Sequence, residues 1–284
     1  MELTTADFDV LRAYVRRVAG IELSEDKGYL VRQRLAPVAQ ANGCASFSAL
    51  AALVAARPTN QLRDEVIEAI ITNETSFFRD VSPFDALKQH VLPHLGAEVS
   101  RRRGATGGVA RINVLSAGAS TGQEAYSIAM TVEESCRLGF APGLRVDDLS
   151  ILAVDVSPRV LARVSSGVYT AVEVARGLSN AQRERYMTQR GESWIMRDDL
   201  RRMVQCRAVN FTEPMPFLGG FDVVFCRNVL IYFDNEMKRS ILRRFYDLLP
   251  PGGFLVLGST ESLYGLVDCF ETLHVSGSIL YRRP

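Results

Sequence analysis

A glycine-rich stretch with one acid behind it is the part of this sequence best suited to chemistry. In Leu115–Met130 (LSAGASTGQEAYSIAM), small residues run from Ser116 to Gly122, and Glu124 follows just inside a helical pattern. Strand, glycine turn and helix together are how α/β proteins hold a nucleotide-like ligand. Gly118 and Gly122 would let the backbone approach that ligand closely, and the N–H groups of the helix start would face it. The two glycines do not complete G-x-G-x-x-G, and no Lys-Ser/Thr follows, so neither a dinucleotide fingerprint nor a P-loop is present. An acid at Glu124 repels a pyrophosphate and suits a ligand carrying an ammonium or sulfonium group. A second acid, Asp155, ends the apolar run Leu149–Val154. There it either reaches ribose hydroxyls or starts the next helix ahead of SPRV.

The third candidate is Thr72–Asp80 (TNETSFFRD), where Asn73, Glu74, Thr75, Ser76 and Arg79 surround Phe77-Phe78. A helix start with Ser82 as N-cap and Pro83 behind it accounts for Ser82. It does not account for so many hydrogen-bonding side chains beside two phenylalanines that demand burial, whereas a ligand-lining segment does. Two more polar pairs stand where strands would end, Asn210-Phe211 and Arg227-Asn228.

The elements that must position these residues can be read from periodicity. Residues 1–80 show helical spacing: a first helix from Thr5 or Asp7 to Gly20, a second over Tyr29–Ala41, then Ser46–Ala56 and Asn60–Ile71. The second helix places Leu30, Leu35 and Val38 on one side and Lys27, Arg32 and Arg34 on the other, a docking surface for an acidic partner. Phe84–His94 is a helix stopped by Pro93, and Gly96–Gly108, with Arg101–Arg103, reads as a mobile basic joint. From Arg111 strands and helices alternate: Ile112–Leu115, helix 125–137, Leu149–Val154, Pro158–Ser165, Val204–Val209, Phe221–Cys226, Glu236–Leu249 and Phe254–Leu257. A terminal hairpin, Phe270–Val275 with Ser278–Tyr281, closes the series. A hairpin-like piece at about 190–208 interrupts the alternation. The expected fold class is therefore α/β, a doubly wound domain with a small inserted antiparallel β-subdomain, preceded by a small all-α N-terminal domain. The expected boundaries are 1–82, a linker over 83–108, and 109–284.

Composition narrows the classes. A chain of 284 residues that is 47% hydrophobic can form a sizeable core. A net charge of +1 argues neither for nor against nucleic acid. The five cysteines are scattered without a CxxC pair, as expected of reduced thiols in a cytoplasmic protein. The three histidines form no metal-ligand set, so no metal is expected. The start MELTTADFDV is not a signal-peptide pattern, and no apolar run approaches a membrane span, so no direct membrane insertion is expected.

Read in order, KGYLVRQRL, NETSFFRD, SAGASTGQEAYSIAM, AVDVSP, GVY, FDVVFCRNVLIYF and GGFLVLGSTES make the chain resemble the CheR-type chemoreceptor glutamate O-methyltransferases over nearly its whole length. The resemblance implies a helical N-terminal domain, a linker, and a doubly wound S-adenosylmethionine (SAM) domain carrying a three-stranded antiparallel insertion. It implies SAM contacts at Asn73, Thr75, Arg79, Gly118, Glu124, Asp155, Asn210, Phe211, Arg227 and Asn228. Within that set Asp155 takes the ribose and Glu124 the methionyl amino group, while Arg79 pairs with the carboxylate or shapes the site. Tyr232 resembles the family tyrosine near the transferred methyl. The implied acceptors are glutamate side chains on the cytoplasmic helical signalling domain of chemoreceptors, approached through Lys27, Arg32 and Arg34 and reached at membrane-bound receptor arrays. A carboxylate ionised at pH 7 needs no general base, so no His or Cys nucleophile is expected.

Two departures stand out. Ala125 replaces the Pro expected in E-P-Y-S, which touches only the ease of starting a helix. Gly191–Arg207 is short at its first turn, where family members that grip a receptor C-terminal tail carry a longer glycine-bearing loop. Independence from such a tail peptide is therefore expected. Two alternatives remain: a SAM-binding regulator acting on another signalling partner, and a nucleic-acid methyltransferase. The latter would want an Asn/Asp-Pro-Pro-Tyr motif or a strongly basic groove.

Overall fold

The computed structural model describes residues 1–56, 58–106, 110–215 and 219–284. They fold as two compact units. The first takes in Met1–Asn73 together with Asn210–Pro214 and Tyr232–Lys238, and the second the remainder.

In the first unit four helices form, α1 (Thr5–Ala19), α2 (Gly28–Ala41), α3 (Phe47–Ala56) and α4 (Asn60–Ile70). Thr4 and Asp7 build a reciprocal capping box at the start of α1, and Gly20, at φ 70°, ends it in the left-handed region. Phe8, Leu11 and Val15 bury one side of α1, and Val31, Leu35 and Val38 one side of α2. Val31 thus takes the core position expected of Leu30. The segment Tyr232–Lys238 returns to this bundle: Phe233 bridges Ile21, Glu22 N–H donates to Tyr232 O, and Arg16 pairs with Asp234.

The second unit begins with one long helical run rather than a helix and a joint. It consists of α5 (Ser82–Ala86), a single π-helical turn (Leu87–Val91) and α6 (Leu92–Thr106). Pro93 does not stop it. The wider turn just before Pro93 accommodates a ring and a missing donor that a regular helix interior would not tolerate. Ser82 is the first helical residue rather than the cap. Arg101 and Arg102 pair with Glu98, Arg102 with Asp222, and Arg103 with Asp148, so the expected basic joint is helical as far as Thr106. Gly107 and Gly108, its expected end, lie outside the described residues. Phe84, Leu87, Val91, Leu95 and Val99 are core residues of this unit.

The main sheet contains β1 (Ile112–Ala117) and β2 (Leu149–Asp155), with α7 (Gln123–Leu138) between them and α8 (Pro158–Ser166) after β2. A separate sheet follows, of β3 (Val168–Thr170), β4 (Met187–Arg190) and β5 (Ser193–Met196), antiparallel in the order β3-β5-β4. The chain then returns to the main sheet with β6 (Val204–Ala208), β7 (Val223–Cys226), β8 (Phe254–Leu257) and the hairpin β9 (Glu271–Val275) and β10 (Ser278–Arg282). The inserted sheet is thus built earlier in the chain than the expected 190–208. Asp198–Met203 is a helix with two acids in its first turn, and Val204–Ala208 pairs in parallel with Ile151–Asp155. The seven-stranded order is β6-β2-β1-β7-β8-β10-β9, with the last two antiparallel to their neighbours. Strands β7 and β8 are buried at every position, as parallel strands covered on both faces must be. The order reverses between β1 and β7, so the crevice at their carboxyl ends is where an open α/β sheet takes its ligand.

Candidate functional site

At that crevice the glycine turn is held mainly by protein. Gly118 and Ala119 N–H both donate to Val154 O at 2.9 Å, Gly122 N–H donates to Ala119 O, and Ser120 N–H donates to Asp155 Oδ2 at 2.9 Å. A Cβ at Gly118 (φ 74°) would come within 2.4 Å of Val229 Cγ2. One at Gly122 (φ 96°) would meet the Tyr169 hydroxyl and Val164. The two glycines therefore admit Val229 and Tyr169 on the side where a Cβ would stand. Asp155, buried at the end of β2, also accepts Ser157 N–H at 3.1 Å and so joins the turn to the start of α8.

Glu124, in the first turn of α7, is the buried acid of the site. Its Oε1 accepts the Ser116 hydroxyl at 2.8 Å and its Oε2 faces Arg227 Nη1 at 3.3 Å. Burial pushes its carboxyl above the ordinary range, against the pull of Arg227 and Ser116. Arg227, whose side chain is 2% exposed, also donates from Nη2 to Arg79 O at 2.6 Å and to Asp80 Oδ2 at 3.0 Å, beneath the Phe84 ring. Among the described residues Arg227 Nε has no hydrogen-bond partner. One arginine thus faces two carboxylates and keeps a spare buried donor. Breaking so buried a pair costs about 3–5 kcal/mol, whereas the exposed Arg176–Glu74 pair nearby is screened by solvent.

The segment after Asn73 lines a cleft of about 370 Å³ bounded by Glu74–Asp80, Arg176 and Gly177. Thr75 is on its wall. Arg79 turns its guanidinium back to Glu74 O at 2.9 Å. Phe77 is buried edge-on to Tyr169, and Phe78 N–H donates to Ser127 Oγ at 2.9 Å. Phe78, Asp80, Ser120 and Asn228 all have positive φ, from 48° to 58°, a conformation that side chains other than glycine adopt at a cost and that clusters at functional sites.

The structure thus brings Glu124, Arg227 and the main-chain carbonyl of Arg79 into one hydrogen-bonded group, with the Arg79 guanidinium outside it, and ties Asp155 to the glycine turn of Gly118. Asn228 follows Arg227 directly. Asn73, Asn210, Phe211 and Tyr232 belong to the first unit. There Asn210 Nδ2 donates to Val18 O at 2.7 Å, its Oδ1 accepts Thr212 N–H, and Phe211 is buried. Sequence reasoning missed Ser116, Asp80, Ser127 and Glu261 as partners; each stands inside a motif already singled out, but nothing in a motif says which neighbour its hydroxyl or carboxylate will meet.

Residues 6–71 match the all-alpha domain of CheR methyltransferases, and residues 73–279 match the CheR methyltransferase SAM binding domain. The chain belongs to the CheR methyltransferase family. Relatives include chemotaxis protein methyltransferase Cher2 of Pseudomonas putida, 37% identical over 283 residues, 99% of each chain. Chemotaxis protein methyltransferase 1 of Pseudomonas aeruginosa is 38% identical over the same length and shares. A chemotaxis protein methyltransferase of Vibrio parahaemolyticus is 38% identical over 270 residues, 95% of this chain and 94% of the relative. The cofactor of this CheR-family chain is SAM. The residues present suit it: carboxylates outnumber the arginine around Glu124 and Asp80, as a ligand with an ammonium and a sulfonium requires. The unpaired Arg227 Nε is a donor for a carboxylate. Among the described residues no helix is long and apolar enough to cross a membrane, and no His/Cys/Asp/Glu group could hold a metal ion.

Proposed function

We propose that this chain transfers the methyl group of SAM to glutamate side-chain carboxylates on the cytoplasmic helical signalling domain of chemoreceptors, giving glutamyl methyl esters for sensory adaptation. The observation that carries this reading is the near-full-length likeness, through both the helical and the SAM-binding parts, to proteins named chemotaxis protein methyltransferases. The enzyme so read is a protein-glutamate O-methyltransferase that works in the cytoplasm at membrane-bound receptor arrays. SAM supplies an electrophilic methyl on a sulfonium sulfur. Glu124 holds the methionyl ammonium and Asp155 the ribose hydroxyls. Arg227, Asn228, Thr75 and Arg79 complete the contacts in the second unit. Asn73, Asn210, Phe211 and the methyl-proximal role of Tyr232 are assigned by family resemblance alone.

The chemistry asks little acid–base work of the protein. A carboxylate is already the nucleophile at pH 7; its oxygen would attack the sulfonium's methyl carbon as the methyl–sulfur bond breaks and S-adenosylhomocysteine leaves, which cancels two charges, so water exclusion favours the reaction. Alignment can supply roughly 7–11 kcal/mol of the barrier. The test is transfer of labelled methyl from SAM to receptor-rich membranes. The expected product is alkali-labile label on a receptor-sized band, released as volatile methanol. Alkali-stable label would mean methylation at nitrogen or carbon and would end the glutamate reading.

A further inference from the structure

Glu261 lies in the loop after β8 and has no part in the assignments above. Its carboxylate gathers four main-chain N–H groups. Oε2 accepts Asn228 N–H at 2.7 Å and Gly258 N–H at 2.8 Å, and Oε1 accepts Val229 N–H at 3.0 Å and Ile231 N–H at 3.2 Å. One of these donors belongs to its own loop, and three belong to the loop that leaves β7, more than 25 residues earlier in the chain. A convergent set of N–H groups is an anion site, and here the protein fills it with its own carboxylate.

What that carboxylate holds gives it its consequence. The β7 loop begins with Arg227, the cation of the buried group with Glu124 and Asp80. Next comes Asn228, held at φ 58°. Then comes Val229, whose side chain fills the space left open at Gly118 in the glycine turn. Gly258 has no room for a side chain because its Cβ would stand 2.7 Å from Glu261 Oε2 and 2.9 Å from Asn228 N. Two strand-end loops are therefore drawn together on one carboxylate, and through Arg227 and Val229 that junction reaches both the buried acid and the turn of the cofactor site. We infer that Glu261 is a positioning residue for SAM binding, setting the conformation of the Arg227–Val229 loop without itself touching the cofactor. The inference rests on the SAM reading of that site.

A carboxylate is required because all four partners are donors. Glutamine keeps the shape but turns one oxygen into an NH₂ that confronts N–H groups, leaving some of them unpaired. The experiment is SAM titration by calorimetry, with KM for SAM and kcat, on wild type, Glu261→Gln and Gly258→Ala. Tyr186→Phe serves as a control that loses a partly buried hydrogen bond to Glu133 outside this junction. Glu261→Gln is expected to weaken SAM binding roughly tenfold or more, raising KM by a larger factor than it lowers kcat. Gly258→Ala should move affinity in the same direction with the carboxylate intact, and it stands in as the test if Glu261→Gln does not fold. Tyr186→Phe should lower Tm and leave SAM affinity in place. Unchanged SAM affinity in Glu261→Gln, or equal affinity losses in Glu261→Gln and Tyr186→Phe, would overturn the inference. A wild type that fails to bind SAM would instead strike the cofactor reading beneath it.

Discussion

Glu124 is the residue where desolvation and charge compete most directly. Burial raises its carboxyl pKa, opposed by Arg227 and the Ser116 hydroxyl. A carboxyl whose folded pKa lies above its unfolded value gives stability that is complete below the unfolded pKa, about 4.3 for Glu. That stability is lost as pH rises through the folded pKa. The cofactor-free protein should therefore lose this contribution as pH climbs above the ordinary Glu range. An ammonium beside the carboxylate favours its charged form, so the rise in Tm on adding SAM should grow across the same window. Glu124→Gln should flatten that pH dependence and weaken SAM binding by roughly tenfold or more through the loss of a charged hydrogen bond. Thermal melts with and without SAM at stepped pH, paired with titration calorimetry, check both. A variant that binds SAM as tightly as wild type would remove Glu124 from the site. At this scale the sequence singled out candidate side chains more readily than the partners they meet. Glu124, Asp155 and Arg227 could be singled out because the first stands behind a glycine-rich turn and the other two where apolar runs end, and the structure gives each of them hydrogen-bonding partners there. The partners that fix them, Ser116 and Glu261, depend on through-space geometry that linear spacing does not encode.

Elements were legible where local physics decides them. Strands β1, β2, β7 and β8 stood out as apolar runs because parallel strands are buried on both faces, and the helices of the first unit as regular apolar periods with caps. Reading failed where tertiary contacts override local signals. Pro93 reads as a stop, yet a π-helical turn before it carries the helix on to Thr106. Val204–Ala208 falls both in the alternating series and in the hairpin-like piece at about 190–208, and its parallel pairing with β2 puts it in the main sheet. The inserted sheet supports a prediction of its own. Strands β4 and β5 are joined by Gly191-Glu192 alone, with Gly191 at φ 59°. So tight a connection leaves no loop to close over a bound strand, and we expect no dependence on a receptor C-terminal tail. A fluorescent peptide with such a tail sequence should show no micromolar binding, and receptors lacking the tail should be methylated as fast as intact ones. Saturable micromolar binding would refute this.

At the level of the whole molecule, recognition of an acceptor has to come from local charge, because the net charge of +1 gives no long-range field. The basic residues expected to dock an acidic receptor helix do not stand alike. Arg34 is half-buried and donates to Ile70 O, Ile71 O and Thr72 Oγ1, satisfying carbonyls that the end of α4 leaves open. Lys27 lies 3.6 Å from Asp26. Arg32 is exposed on α2 and is the cleanest probe of docking. Charge at the rim of an interface acts mainly on association rate and is screened by salt. Arg32→Glu should therefore slow receptor methylation several-fold at low ionic strength, with the difference shrinking as salt approaches physiological levels, while SAM affinity stays at the wild-type value. Arg34→Glu would confound the test, because it also releases the end of α4 and lowers Tm. Initial rates of methyl transfer at stepped salt, beside SAM titrations and melts of both variants, separate the effects. Equal rates for wild type and Arg32→Glu at every salt concentration would take α2 out of receptor docking. A loss of SAM binding in Arg32→Glu would mean that α2 serves the cofactor rather than the acceptor.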